Sequence, residues 1–164
     1  MHFSSGINRP PYEANDEFLQ ITSGCSHGSC KFCTFYKDSP FSLSPMEEIE
    51  ADIKELAYSG WSFDRIYLQG ADPFIRKTED LLKIAEMIYH YLPQVKSIGG
   101  YARVDNLKNK TVEQVRQLKD AGYNYFYFGV ESGDDKLLDR MNKGYHADYV
   151  LHECRKMDEV GMPW

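Results

Sequence analysis

Strand-like and helix-like segments alternate along this chain, and that alternation restricts its possible folds more than any other feature. Short apolar runs at Phe18–Thr22, Arg65–Gln69, Ser97–Arg103 and Tyr123–Val130 read as strands. Between them, apolar residues recur at helical spacing. Met46, Ile49, Ile53 and Leu56 mark a first helix, ended by Gly60. Leu81, Ile84, Ala85, Ile88 and Tyr89 mark a second, stopped by Pro93. Val112, Val115, Leu118 and Ala121 mark a third, reaching Gly122. Two more are expected at about 134–141 and 147–160. Ser44-Pro45-Met46-Glu47 and Thr111-Val112-Glu113-Gln114 read as capping boxes, and Thr78 as a further helix cap. Strands alternating with helices of this length imply right-handed βαβ units. The pattern therefore predicts an α/β fold with a parallel sheet and about four βα units, either a (β/α) barrel or a doubly wound sheet.

Gly161-Met162-Pro163-Trp164 reads as a helix end and the entry to a fifth strand. A closed eight-stranded barrel is therefore not expected within 164 residues, and the chain is expected to be truncated before the remaining strands. Residues 1–16 are expected to be an extended lead-in, and residues 17–164 one structural unit.

Charge and composition narrow the possible functions. The net charge is -6 and no Lys/Arg run stands out, so there is no direct nucleic-acid signal. No apolar stretch approaches the length of a membrane span. Residues 1–14 are polar with two prolines, unlike a signal peptide, so a cytoplasmic location is the default expectation.

Three of the four cysteines, Cys25, Cys30 and Cys33, form a C-x4-C-x2-C cluster directly after the first strand. In a chain without a secretion signal this reads as a metal site rather than a disulfide framework. Three thiolates suit an iron–sulfur cluster with one iron open to an outside ligand, whereas ferredoxins supply four cysteines. Cys154 lies on an apolar helical stripe with Val150 and Met157 and is expected to be a core thiol. The competing metal is zinc, because Cys25, His27, Cys30 and Cys33 could form a Cys3His site. The Cys25–His27 spacing is short for that arrangement.

Four segments in order resemble the radical S-adenosylmethionine superfamily, over roughly residues 17–161. They are the cysteine loop with Phe32 before its last cysteine, Gln69-Gly70-Ala71-Asp72-Pro73 after the second strand, Tyr101-Ala102-Arg103-Val104-Asp105 after the third, and Phe128-Gly129-Val130-Glu131-Ser132-Gly133 after the fourth, followed by Met141-Asn142-Lys143-Gly144. The last two are closest in style to methylthiotransferases, elongator-type enzymes and cobalamin-dependent members. Two departures stand out: the family's usual first spacing is C-x3-C, and Ala71-Asp72 stands where Gly-Glu is usual.

The resemblance implies a partial (β/α) barrel. It also implies a 4Fe–4S cluster on Cys25, Cys30 and Cys33, with S-adenosylmethionine held by Phe32, Gly70, Ala71, Asp72, Pro73, Arg103, Glu131 and Ser132. Phe32 would lie against adenine, the Gly70–Pro73 turn would meet the methionine amino group, and Arg103 and Glu131 would face the carboxylate and ribose. No residue beyond the cluster ligands is implied as catalytic. The implied activity is reductive cleavage to a 5′-deoxyadenosyl radical acting on an unknown substrate, small or macromolecular, with an electron donor such as flavodoxin or ferredoxin.

Plainer roles stand beside these. Arg103 could pair only with Asp105 or Glu131, Glu131 could cap the helix near Asp134, and Asp72 could be a turn residue. Lys143 is expected to be solvated, and the run Tyr125–Phe128 to be a buried strand rather than a base-stacking platform. A zinc-stabilised binding module and a silent, cofactor-binding relative are the functional alternatives.

Overall fold

The computed structural model describes residues 1–164. In chain order its elements are strands β1 (Glu17–Gln20), β2 (Thr22–Ser23) and β3 (Ser42–Leu43), helix α1 (Met46–Tyr58), strand β4 (Arg65–Gln69), helix α2 (Thr78–Tyr91), strand β5 (Ser97–Ala102), helix α3 (Val112–Asp120), strand β6 (Tyr123–Phe128), and helices α4 (Asp135–Met141) and α5 (Ala147–Val160). The main sheet has the order β1-β4-β5-β6 and every pairing in it is parallel. The predicted α/β class and parallel topology are therefore present.

Alternation along the strands divides the sheet into two faces. Leu19, Ile66, Leu68, Ile98 and Phe126 join one apolar core with buried residues of α1, α2, α3 and α5. The in-register residues Phe18, Tyr67, Gln69, Tyr101 and Tyr127 fall on the other face. One face thus carries the helices and the other is concave, the arrangement of a partial barrel rather than a doubly wound sheet. Cys154 is 3% exposed within the helix-side core, as its apolar stripe predicts.

Several local expectations are corrected. The first strand stops at Gln20, and Thr22–Ser23 instead pairs antiparallel with Ser42–Leu43. This small ribbon closes the base of the cysteine loop. Ser44 does not cap α1, whose N-cap is Pro45 without a side-chain bond. The Ser44 hydroxyl is engaged by His2 Nε2 (3.0 Å) and Gln20 Nε2 (3.5 Å), so tertiary partners outcompete the local cap. Thr78 is the first residue of α2, not its cap. The Thr111–Gln114 box forms in both directions, at 3.2 and 2.9 Å.

β6 is shorter than expected and irregular. It ends at Phe128, and its register with β5 shifts between Ile98 and Gly100. Tyr125 sits in this shift at φ 56° and is 51% exposed, because β6 is an edge strand. The run Tyr125–Phe128 is therefore not uniformly buried. Met162–Trp164 are outside any strand, and the Trp164 indole donates to Asp158 Oδ1 (2.9 Å).

The N-terminal segment packs across the sheet. The Met1 ammonium pairs with Asp52 (3.3 Å) and Glu55 on α1. Ser4 N donates to Gln20 Oε1 (2.8 Å) and Asn8 N to Gln69 Oε1 (3.1 Å), carrying the segment onto the concave face. At the opposite end of the sheet, Arg65 Nε donates to Glu13 Oε2 (2.8 Å) and Tyr127 donates to Glu13 Oε1 (2.6 Å).

Candidate functional site

The cysteine loop leaves the C-terminal end of β1, the end at which parallel α/β sheets gather their chemistry. Gly24 begins it at φ 66°, where a Cβ would lie 2.7 Å from the Pro40 carbonyl oxygen. Only glycine allows the two ends of the loop to approach so closely. Cys25 and Cys30 are partly buried, Cys33 is exposed, and all three are free thiols.

Two separate bridges fix this loop. On one side Asp72 Oδ2 accepts from Ser26 N (3.2 Å) and from the Ser26 hydroxyl. Ala71 N also donates to the Gly24 carbonyl (3.2 Å). On the other side the loop meets the turn after α4. Lys31 N donates to Met141 O (2.9 Å), Asn142 Nδ2 to Ser29 O (2.8 Å), and His27 Nε2 to Asn142 O (2.7 Å). Motifs separated by more than a hundred residues are thereby joined at one mouth.

Asp72 is fully buried and its Oδ1 has no hydrogen-bond partner. Burial pushes its carboxyl up, against the opposing pull of the Ser26 hydrogen bonds. It is more than a turn residue, because one oxygen anchors the cysteine loop while the other remains available. Gly70, at φ 104°, starts this turn; a Cβ there would lie 2.9 Å from Thr22 O. Pro73 follows as the first residue of a short 3-10 turn.

Arg103 is 5% exposed and makes a bidentate pair with Asp105, at 3.0 Å from both Nε and Nη2. Burial opposes its charge, but Asp105 holds the guanidinium above its ordinary value. Nη2 also donates to the Lys143 carbonyl (3.3 Å). The plainer pairing with Asp105 is therefore present, and it fixes the guanidinium at the mouth.

Glu131 does not cap α4. Asp134 takes that role, accepting from Lys136 N (2.9 Å), while Ser132 Oγ accepts from Asp134 N (3.0 Å). Glu131 adopts φ 69°, a left-handed conformation that costs a non-glycine residue about 1–3 kcal/mol. Its carboxylate receives Lys143 Nζ at 2.9 Å.

Lys143 is a candidate residue that sequence reasoning set aside. Expected to be solvated, it is 5% exposed, with its ammonium 5.9 Å from the Phe32 ring centroid and 5.6 Å from that of Tyr145. The Asn142 position, left-handed at φ 55°, ends α4 and turns the following lysine inward. Its place after Met141-Asn142 in the fourth motif was the available signal. Phe32 itself is half-exposed at the rim.

The donor set separates the two metals. A mononuclear zinc site needs its ligands on one point. A Cys3His site would need the His27 ring, whose Nε2 instead donates to the Asn142 carbonyl. A polynuclear iron–sulfur cluster takes one thiolate at each of several metal corners, and the loop offers three. The residues present fit that group, and the unpartnered Asp72 oxygen fits a cationic group beside it.

Comparison with known proteins gives concordant results. The family model described as "Radical SAM superfamily" matches residues 19–164. The chain is 26% identical over 152 residues to a tRNA-2-methylthio-N(6)-dimethylallyladenosine synthase of Clostridium tetani, covering 87% of this chain and 32% of that protein. It is 27% identical over 143 residues to the heme chaperone HemW of Bacillus subtilis, covering 84% of this chain and 37% of that protein. The chain thus spans about a third of the length of these curated relatives. Among solved structures, the cobalamin-dependent S-adenosylmethionine radical enzyme OxsB shares its fold, with TM-score 0.74 and 19% identity over 90% of this chain and 23% of that one.

Proposed function

Because the chain belongs to the radical S-adenosylmethionine superfamily, we propose that it is the cofactor-binding core of an enzyme that cleaves S-adenosylmethionine reductively, with Cys25, Cys30 and Cys33 holding a 4Fe–4S cluster. When bound, these cofactors supply one-electron cleavage of the sulfonium to methionine and a 5′-deoxyadenosyl radical, which takes hydrogen from a substrate.

The protein's part is to bind, orient and exclude water. The Gly70–Pro73 turn and the free Asp72 Oδ1 receive the methionine amino group. Arg103 and Lys143 supply positive charge for the carboxylate. Arg103 is suited because Asp105 fixes its plane through Nε and Nη2, leaving Nη1 available. Glu131 and Ser132 accept from the ribose hydroxyls, and Phe32 lies against the adenine.

A single observation carries this reading. The cysteine loop is hydrogen-bonded at once to Asp72 and to the Met141–Asn142 turn, so thiols, carboxylate and buried lysine share one mouth. Electrons would come from a donor such as flavodoxin or ferredoxin, and the setting would be cytoplasmic. The named relatives act in unlike processes, so no substrate is carried over from them.

The test is anaerobic reconstitution. About four iron and four sulfide per chain are expected, together with 5′-deoxyadenosine on addition of dithionite and S-adenosylmethionine. One zinc and no iron would sink the proposal. Cofactor binding without 5′-deoxyadenosine would mark the chain as a silent relative.

A further inference from the structure

Gln20 and Gln69 form a natural comparison. They are directly in register on neighbouring strands β1 and β4, both on the concave face and both 2% exposed. The N-terminal segment contacts both in the same way: Ser4 N donates to Gln20 Oε1 at 2.8 Å, and Asn8 N to Gln69 Oε1 at 3.1 Å.

A backbone N–H can only donate. Each contact therefore determines which end of the side-chain amide faces the segment, and it sends the NH2 the other way. For Gln20 the NH2 is satisfied within the chain, donating to Ser4 Oγ at 3.0 Å and Ser44 Oγ at 3.5 Å. For Gln69 it is not: Nε2 is buried and has no partner.

A buried donor without an acceptor is costly, and native structures rarely keep one without a use. Gln69 immediately precedes Gly70, and the neighbouring carboxylate oxygen Asp72 Oδ1 is unpartnered as well. A donor at the end of β4 and an acceptor in the turn after it are therefore both left open, and that turn is tied to the cysteine loop through Ala71 N and Asp72 Oδ2. The segment that orients Gln69 also reaches that loop, since a Cβ on Gly6 would lie 3.1 Å from the Phe35 ring.

We propose that Gln69 contacts the cofactor directly, its amide NH2 turned by Asn8 N–H to donate to an oxygen of bound S-adenosylmethionine. This rests on the reading above that S-adenosylmethionine binds at the Gly70–Pro73 turn. The N-terminal segment acts through Gln69 by fixing its amide.

The test uses the full chain, reconstituted anaerobically and titrated with S-adenosylmethionine while the reduced cluster is followed by electron paramagnetic resonance. Gln69→Met should retain the native iron content and weaken S-adenosylmethionine binding about tenfold. Gln69→Asn, whose amide stands on a shorter stem, should show the same loss and serves if the first variant does not fold. The matched control Gln20→Met also breaks a contact with the N-terminal segment, and its affinity should stay within about twofold of native.

Hydrogen exchange on the metal-free chain gives a second readout. The Asn8 amide should be protected in the native protein and lose protection in Gln69→Met. Native affinity in Gln69→Met or Gln69→Asn would overturn the proposal, as would an equal loss in Gln20→Met. A native chain that builds no cluster would instead overturn the function on which it rests.

Discussion

The two ends of the sheet treat charge in opposite ways. At the N-terminal end, Arg65 is enclosed by partners. It meets Glu13 (2.8 Å), Asp16 (3.2 Å), Ser97 Oγ (2.9 Å) and the Asn124 carbonyl (3.1 Å). At the C-terminal mouth, Asp72 and Gln69 are just as buried but each keeps one polar atom without a partner. Asp16 Oδ2 and Asn124 Oδ1 at the first end also lack hydrogen-bond partners, but there the carboxylates lie within ion-pair distance of Arg65, whereas Asp72 at the mouth has no cation at that distance. The difference separates a region built to hold the fold from one that awaits a ligand.

Breaking each end should therefore produce different failures. The largest effect belongs to the mouth. Replacing Cys25, Cys30 or Cys33 with alanine should take the reconstituted iron content from about four per chain to near zero. Cys154→Ala should leave it unchanged, because burial pushes that thiol up to about 11 and the helix-side core encloses it. Loss of iron in the Cys154 variant would show that the mouth is not the metal site.

The next effect belongs to the closed end. Arg65→Met removes the cation from two carboxylates and should destabilise the fold by about 3–5 kcal/mol in urea titrations. S-adenosylmethionine affinity per folded, reconstituted molecule should not change. A smaller change is expected for Lys143→Met, because its partner Glu131 is already 33% exposed. Stability should fall by less than about 1 kcal/mol, while S-adenosylmethionine binding weakens about tenfold. A variant that loses stability but not affinity would place Lys143 with the structural end.

The smallest effect concerns pH at the closed end. Burial, with Glu13 alongside, pushes the Asp16 carboxyl up to about 7. Despite burial, the Arg65 hydrogen bonds hold Glu13 down at about 2. A raised carboxyl stabilises the fold at pH below its unfolded value, and that contribution is lost as pH rises through about 7. Glu13 acts in the opposite sense, but only at more acidic pH. Asp16→Asn should therefore raise the melting temperature modestly at pH 8, with the difference closing toward pH 5. A pH-independent difference would break this account.

Much of the fold was legible from local pattern. The Thr111–Gln114 box formed as written because no tertiary partner competed for Thr111. The similar signal at Ser44 failed because His2 and Gln20 engage the hydroxyl from elsewhere in the chain. Of the candidate site, spacing and strand order pointed to the cysteine loop, whereas the Asp72 turn, Arg103 and Glu131 came only from the resemblance to a known family. Lys143 was misjudged because burial of a single lysine has no periodic signature. Gln69 appeared in its motif without a role because its orientation depends on a backbone group sixty-one residues away.

By itself, the sequence determined the βα alternation, the parallel sheet and the three-thiol loop at its C-terminal end. These depend on periodicity and short spacings, which are properties of neighbouring residues. Only the tertiary structure decided which charges were completed and which were left open. Asp72, Gln69, Arg65 and Lys143 are all polar residues beside strands or helix ends, with no local mark to separate them. Their difference arises from groups brought across the sheet by folding, because hydrogen bonds and ion pairs act only at contact distance.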